Sequence, residues 1–289
     1  MAEPIGIVHD ITLRDGRTLR AHDVGTSDDA RPTVLWHHGS PQSGTLLPPL
    51  VAAAAATGLR LVSYARPGYG GSTAAPGRDV AGAADDVAQL ADALRIERFT
   101  VMGASGGGPH ALACAALLPD RVTAVACLAA IAPPTGREDW YTGMADLGGL
   151  RAAATGREAR ARYAQTAEFD PTSFTDADWA ALAGAWASLG DDASHAGEAW
   201  PGGLVDDDVA FARAWGFDLA QVGAPALLVQ GGRDRVVPPA HVDLLASALP
   251  DVEVWRHPED GHISVLHACA DAMVWLLARD VPAVTRPRT

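Results

Sequence analysis

The sequence predicts an α/β fold in which helices flank a mostly parallel sheet. Short apolar runs of strand length alternate with helix-length segments along most of the chain. A Gly-X-Ser-X-Gly motif also stands where one such run passes into a helical segment. Both observations are typical of strands joined by helical crossovers, which place the carboxyl ends of the strands at one edge of the sheet.

The chain opens with an antiparallel strand pair. Residues 5–13 and 17–24 alternate apolar and polar side chains on either side of Asp15-Gly16, a two-residue hairpin signal. Six short apolar runs follow, and we expect each to form a strand: residues 33–37, 59–64, 98–102, 121–130, 225–230 and 251–256.

Helical patterns fill the gaps between these strands. In residues 79–95, apolar side chains from Val80 to Leu94 recur at the spacing of one helix face. Helices are expected near residues 44–57, 79–95, 108–118, 240–249 and 265–279.

Between Pro134 and about Gly223 the alternation of strands and helices stops. We therefore predict an α/β core of residues 1–133 and 223–289, interrupted by a helical cap of residues 134–222. Asp206-Asp207-Asp208 is expected to be a solvated face or a helix N-terminus, and residues 282–289 a frayed tail. The tryptophans of this segment either line a pocket or pack the cap against itself; five of the chain's eight lie here, namely Trp140, Trp179, Trp186, Trp200 and Trp215.

Composition excludes several classes of protein. The 289 residues include 22 Lys+Arg and 35 Asp+Glu, a formal net charge of −13, and no basic tract that would bind nucleic acid. No apolar run reaches membrane-spanning length, and Met1-Ala2-Glu3-Pro4 does not begin a secretion leader, so we expect a soluble cytoplasmic protein. Cys114, Cys127 and Cys269 are expected in the core rather than in disulfides or a zinc site.

Ser105 is the candidate nucleophile. It stands at the centre of Gly103-Ala104-Ser105-Gly106-Gly107, directly after the strand of residues 98–102. The flanking glycines allow a sharp turn close to neighbouring strands, so the serine hydroxyl projects outward from a strand-to-helix corner.

Asp234 and His262 follow Ser105 in the order that this motif requires. Asp234 comes after the strand of residues 225–230, and no acidic residue ends the preceding strand; alternatively it pairs with Arg233 or Arg235. His262 follows the strand of residues 251–256 on a glycine-containing loop, with His267 as its rival. An Asp carboxylate that accepts the Nδ1 proton of a histidine would fix its tautomer for general-base work.

A turn after the strand of residues 33–37 is the candidate oxyanion hole. In His38-Gly39-Ser40-Pro41 the third residue can aim its backbone N–H at the site, and we pair the N–H of Ser40 with that of Gly106. His37-His38 predicts no metal, because adjacent strand residues point to opposite faces. The segment Arg66 to Ser72 either shapes a loop beside the hole or is a plain turn. His110 is expected to pack or cap rather than act as a second base.

Together these motifs resemble the α/β-hydrolase fold superfamily over about residues 5–280. The resemblance implies an eight-stranded sheet with the second strand antiparallel, and a helical cap after the sixth. It also implies a cis Ser40-Pro41 peptide bond. It assigns catalysis to Ser105, Asp234 and His262, and the oxyanion hole to Ser40 and Gly106. The elbow sequence Ser105 to Pro109 differs from the Ser-Met-Gly-Gly of many relatives, so the subfamily stays open. Ser105 argues against the Asp-dependent epoxide hydrolases and haloalkane dehalogenases.

The resulting hypothesis is a serine hydrolase that cleaves a small-to-medium, largely apolar carboxylic ester or lactone without a cofactor or metal. Its expected partner is a small-molecule substrate, with no nucleic acid and no membrane. The alternatives are an acyltransferase, a perhydrolase, a carbon–carbon bond hydrolase and a non-catalytic ligand receptor. The sequence leaves the acyl group, the leaving group and the oligomeric state open.

Overall fold

A computed structural model describes residues 5–26 and 29–280, so the predicted tail lies outside the described residues. Eight strands form one sheet in the order β1-β2-β4-β3-β5-β6-β7-β8. The pairings β1–β2 and β2–β4 are antiparallel and the other five are parallel, which confirms the predicted fold class. The strands are β1 Ile7–Thr12, β2 Thr18–Asp23, β3 Thr33–His37, β4 Arg60–Tyr64, β5 Phe99–Ala104, β6 Val122–Leu128, β7 Ala226–Gly231 and β8 Val252–His257.

Helices cover both faces of this sheet. Successive residues of β5, Val101 and Met102, belong to two different buried clusters, because strand side chains alternate between faces. α2, α3 and α9 pack on one face, and α1 and α10 on the other. Their bounds are α1 Pro48–Thr57, α2 Gly82–Ala93, α3 Gly107–Leu117, α9 Ala240–Ala248 and α10 Cys269–Leu277.

Five helices are inserted between β6 and β7, and residues 134–222 contain no strand. Three acidic side chains of these inserted helices reach loops of the sheet. Asp178 accepts from the backbone of Ile263, and Asp192 from that of Ser43. Asp207 pairs with the guanidinium of Arg66. The inserted helices are α4 Gly148–Thr155, α5 Arg157–Ala164, α6 Asp176–Ala183, α7 Ala187–Ala199 and α8 Pro201–Phe211.

The prediction of a solvated Asp206-Asp207-Asp208 face is wrong. The Asp207 side chain is 0 % exposed, and that of Asp206 2 %. All three residues lie in α8, and each carboxylate pairs with arginine: Asp206 with Arg157, Asp207 with Arg66 and Arg78, and Asp208 with Arg160. The partners are far away in sequence, so a local charge run gives no sign of them.

Four of the five tryptophans of the inserted segment divide between the two predicted roles. Trp140, Trp186 and Trp215 are buried, whereas Trp179 is 42 % exposed and lines the cavity described below. The three cysteines are buried and free, as the sequence predicts. Within residues 5–26 and 29–280, no helix combines the length and apolar character needed to span a membrane.

Candidate active site

A cavity of about 800 Å³ lies between the inserted helices and the carboxyl ends of the strands. Ser105, His262, Ser40 and Gly106 all line it. Ligands of open α/β sheets collect at this edge, since the loops after successive parallel strands meet there. The structure therefore brings four of the five predicted site residues to one cavity, and the fifth, Asp234, lies directly behind His262.

Ser105 occupies a left-handed turn between β5 and α3. Its φ is +53°, its N–H donates to the Leu128 carbonyl at 2.8 Å, and its carbonyl accepts from the Gly108 N–H at 3.0 Å. A non-glycine residue at this φ is held there by its surroundings at a cost of about 1–3 kcal/mol. The turn needs glycine nearby, because a Cβ on Gly107 would collide with the His37 carbonyl oxygen.

His262 and Asp234 form a buried pair. The imidazole Nδ1 donates to Asp234 Oδ2 at 2.8 Å, and the Asp234 side chain is 0 % exposed. Asp234 Oδ1 accepts from the backbone N–H groups of Val236 and Val237, both at 2.8 Å. With Nδ1 committed to this carboxylate, Nε2 is the ring nitrogen that remains for a proton transfer.

Electrostatics favour the protonated imidazole. Burial lowers the pKa of His262, but the charge of Asp234, the hydrogen bond to it and the charge of Asp178 outweigh burial, so the pKa lies above its ordinary value. This direction suits a base that must hold a proton transiently beside a carboxylate.

Two of the alternatives weighed from sequence, Arg233 and His267, have other partners. Arg233 pairs with Glu259 rather than with Asp234. His267 donates from Nδ1 to the Ser264 carbonyl at 2.7 Å and lies 3.5 Å from Asp260, with its side chain 56 % exposed. Asp234 therefore contacts His262 and not His267.

Ser40 and Gly106 are neighbours at the cavity wall. The Ser40-Pro41 peptide bond is cis, and the Gly39 N–H donates to Gln42 Oε1 at 2.5 Å, which closes the turn. A Cβ built on Gly106 would lie 2.6 Å from Ser40 Oγ. The two backbone segments predicted to supply N–H donors thus meet beside Ser105.

Arg66 holds the turn that carries Ser40. Its guanidinium donates to the carbonyls of His38 and Gly39, the latter at 3.1 Å, and to Ser40 Oγ at 2.8 Å. The sequence left two interpretations of this segment open, a loop that shapes its surroundings or a plain turn, and these contacts of Arg66 favour the first. His38 also connects Arg66 to this turn, because its Nε2 accepts from the Arg66 N–H at 3.1 Å.

Asp207 anchors the same turn from the inserted helices, and sequence reasoning missed it. It accepts from Ser40 Oγ at 2.5 Å, from Arg66 Nη2 at 2.7 Å and from the Tyr69 hydroxyl at 3.0 Å, and it also pairs with Arg78. Burial raises the pKa of Asp207, but the charges of Arg66 and Arg78 overcome burial and hold the pKa well below its usual range. The carboxylate is therefore ionised near neutral pH.

His37 and His38 belong to the buried interior of the same region. Burial and the nearby Arg66 charge lower the pKa of both, so both are neutral. His37 Nδ1 lies 3.2 Å from the Tyr64 hydroxyl, and His38 Nδ1 donates to the Gly39 carbonyl at 2.7 Å. These contacts give each ring a structural role. His110 likewise packs, with Nδ1 donating to the Gly106 carbonyl at 2.8 Å.

The cavity wall is largely apolar. Phe169, Phe174 and Trp179 form an aromatic cluster with ring centroids 5.2 to 6.2 Å apart. A polar part of the wall holds Arg160 against Asp208 at 2.6 Å, where burial raises the pKa of Asp208 to about 6. The larger apolar side chains of the wall include Leu150, Phe169, Phe174, Trp179, Leu204 and Phe211. Such a wall favours apolar ligands with few polar groups.

Residues 32–268 match the family described as the alpha/beta hydrolase fold. The chain therefore belongs to this family.

Two known proteins resemble parts of this sequence. A bifunctional esterase/perhydrolase of Acinetobacter calcoaceticus is 31 % identical over 125 residues, which are 43 % of this chain and 45 % of that protein. A putative carbamate hydrolase of Caulobacter sp. (strain K31) is 37 % identical over 110 residues, 37 % of this chain and 40 % of that protein. The matched segments thus span less than half of each relative.

Solved structures share the fold over nearly the whole length. The enol-lactonase from Burkholderia xenovorans LB400 superposes with a TM-score of 0.71 at 24 % identity, covering 93 % of this chain and all of that one.

Proposed function

We propose that this enzyme is a serine hydrolase that cleaves a small-to-medium, largely apolar carboxylic ester or lactone through an acyl-enzyme intermediate. The observation that carries the proposal is the buried Asp234–His262 hydrogen bond beside a cavity that Ser105 also lines. The esterase among the relatives supports ester chemistry.

In the proposed mechanism, Ser105 Oγ attacks the substrate carbonyl while His262 Nε2 removes its proton. Asp234 fixes the imidazole orientation and stabilises the imidazolium. The N–H groups of Ser40 and Gly106 stabilise the oxyanion, and each such donor lowers the barrier by about 3–4 kcal/mol. His262 then returns the proton to the leaving alcohol, and water, deprotonated by the same histidine, releases the acid.

The inserted helices serve in this proposal as a cap, residues 134–222, over a core of residues 1–133 and 223–289. Phe169, Phe174 and Trp179 come from the cap and line the cavity. We expect an apolar acyl or alkoxy group to lie against them, because burial of apolar surface contributes about 25 cal/mol per Å². A cytoplasmic location stays a prediction from sequence.

The test is the Ser105→Ala substitution, assayed with a panel of p-nitrophenyl esters of increasing acyl length. Loss of the nucleophile is expected to reduce turnover by about four orders of magnitude or more, with an unchanged circular dichroism spectrum. An organophosphonate should label the wild type at Ser105 and leave the variant unlabelled. Ser247→Ala is the matched control, since this hydroxyl bonds within α9 to the Leu244 carbonyl. Near-normal turnover by Ser105→Ala would refute the mechanism.

A second candidate function is perhydrolysis at the same site, and the bifunctional esterase/perhydrolase relative favours it. Hydrogen peroxide would replace water in attacking the acyl-enzyme, so the product would be a peracid. An assay with the best ester and graded peroxide separates the two. Peracid formed in competition with acid supports perhydrolysis, whereas acid alone at all peroxide concentrations rules it out.

A further inference from the structure

Asp178 is a buried carboxylate of the inserted helices that contacts the loop of His262. It is the third residue of α6 and is 0 % exposed. Its Oδ1 accepts three hydrogen bonds from the residues that follow His262: the Ile263 N–H at 2.8 Å, the Ser264 N–H at 2.7 Å and the Ser264 hydroxyl at 3.0 Å. A single oxygen atom therefore fixes the backbone on the carboxyl side of the histidine.

The other side of His262 lies against the same carboxylate. A Cβ on Gly261 would collide with Asp178 Oδ2, so glycine is required for this close approach. The Gly261 N–H donates to Ser264 Oγ at 2.8 Å, and that hydroxyl donates on to Asp178. The loop is thus held on both flanks of His262 by one side chain from another part of the chain.

The local role of Asp178 does not account for these contacts. Asp178 forms a capping box with Thr175, whose N–H and hydroxyl both donate to Oδ2 at 2.9 Å. A capping box needs that oxygen alone, and Oδ1 is left for the loop. The N-terminus of α6 helps to stabilise the buried negative charge.

We propose that Asp178 is a positioning residue for His262, which orients the imidazole between Asp234 and Ser105 by fixing the loop from Gly261 to Ser264. The proposal rests on the serine mechanism above. Catalysis then requires α6 to be docked on the loop, because the three donors following His262 lose their acceptor when α6 withdraws. Docking of α6 on the loop therefore also places His262 for its role as general base.

The charge of Asp178 gives this role a measurable effect besides stability, namely on the pKa of His262. Asp234 from the loop after β7 and Asp178 from α6 are the two carboxylates that raise the pKa of His262 against burial. Asp260 belongs to a separate cluster with His257 and His267. The cavity that His262 lines also carries five charged residues on its wall: Asp146, Arg160, Glu168, Asp170 and Asp208.

Two substitutions at Asp178 separate its hydrogen bonds from its charge. Asp178→Asn keeps an oxygen for the Ile263 and Ser264 N–H groups but removes the charge. We expect its kcat to stay within about tenfold of the wild type and the acid limb of its kcat/KM profile to move to lower pH. Asp178→Ala removes both, and kcat should fall about 100-fold, the effect of misplacing a catalytic group by about 1 Å, with KM little changed.

Asp176→Ala is the matched control, because Asp176 is an exposed acidic residue in the first turn of the same helix. It should leave kcat and the pH profile unchanged. Wild-type turnover that depends on Ser105 is established first, so that a failure of the serine mechanism is recognised separately. Given that dependence, an unshifted acid limb in Asp178→Asn would overturn the proposal even if Asp178→Ala fails to fold, as would normal kcat in folded Asp178→Ala.

Discussion

His262 and His110 show how burial and the nearest charge set the behaviour of a single residue type. Both are buried. Burial together with the Arg66 charge lowers the pKa of His110 to about 3, whereas Asp234 and Asp178 raise that of His262. His262 is therefore the ring suited to accept a proton near neutral pH, and His110 is not.

At the same scale, Asp207 is expected to be essential for stability. Asp207→Ala would leave the buried Arg66 and Arg78 guanidinium groups without their carboxylate, and removal of one partner of a buried ion pair costs about 3–5 kcal/mol. Urea unfolding should show a loss of this size. Turnover should also fall, because Asp207 accepts from Ser40 Oγ.

The neighbouring Asp206→Ala provides the comparison. Its partner Arg157 is 46 % exposed and stays solvated when the carboxylate is removed, so the loss should be about 1 kcal/mol or less. Equal stability of the two variants would show that the Asp207 network is not a stabilising unit.

At the scale of elements, the elbow, which is the turn at Ser105 between β5 and α3, depends on the close packing of α3 against the sheet. α3 begins at Gly107, and a Cβ on Gly108 would collide with Ala130, two residues beyond β6. Side chains at these positions would push the helix away from the strands, and Ser105 would move with it.

The Gly103→Ala substitution tests this packing. Its Cβ would lie 2.5 Å from the Gly107 carbonyl oxygen, and backbone must shift to relieve the clash. We expect the free energy of unfolding to fall by about 1–3 kcal/mol. We also expect kcat to fall by a larger factor than the factor by which KM changes. Urea titration and ester kinetics measure both.

Gly223→Ala is the matched glycine variant, because its Cβ would meet no atom within 4 Å. Its stability should stay within about 0.5 kcal/mol of the wild type. If Gly103→Ala behaves in the same way, the elbow does not require glycine at that position.

At the scale of the whole molecule, buried neutral histidines make stability depend on pH. Burial lowers the pKa of His22 and His241 to about 4 and of His110 to about 3, and it also lowers the pKa values of His37 and His38. The unfolded chain takes up protons below a pKa of about 6.5 while the folded chain does not. Stability is therefore lost as pH falls below that value.

Three buried groups act in the opposite direction. Burial raises the pKa of Asp86, and that of Asp208 to about 6, while Asp234 and Asp178 raise the pKa of His262, so the folded state gains stability from these groups as pH falls. The five histidines with lowered pKa outnumber them, and we expect the free energy of unfolding to decrease by several kcal/mol between pH 7 and pH 5, at up to about 1.4 kcal/mol per pH unit for each of these histidines.

Urea unfolding at several pH values measures this dependence, and His110→Gln isolates one contribution. The variant should reduce the slope between pH 5 and 6 by about 1.4 kcal/mol per pH unit, since Gln does not titrate and can still donate to the Gly106 carbonyl. Constant or rising stability from pH 7 to pH 5 would contradict the prediction.

Local patterns were sufficient for the strands, the elbow and the order of Ser105, Asp234 and His262. Each of these depends on a few adjacent residues: apolar runs, flanking glycines, or a polar residue directly after a strand. The burial of Asp178 and Asp207 was missed because it depends on residues that are distant along the chain. Asp178 reaches a partner 85 positions away and Asp207 one 141 positions away, and each looks locally like a helix-surface residue.

The amino-acid sequence by itself determined the α/β architecture, the family and three candidate catalytic side chains, because backbone propensity and side-chain alternation act over short distances. Only the tertiary structure decided which histidine meets Asp234, which acids are buried and how the inserted helices contact the loops of Ser40 and His262. Those outcomes depend on desolvation and on charges brought together from distant parts of the chain, and no single segment of the sequence reveals either.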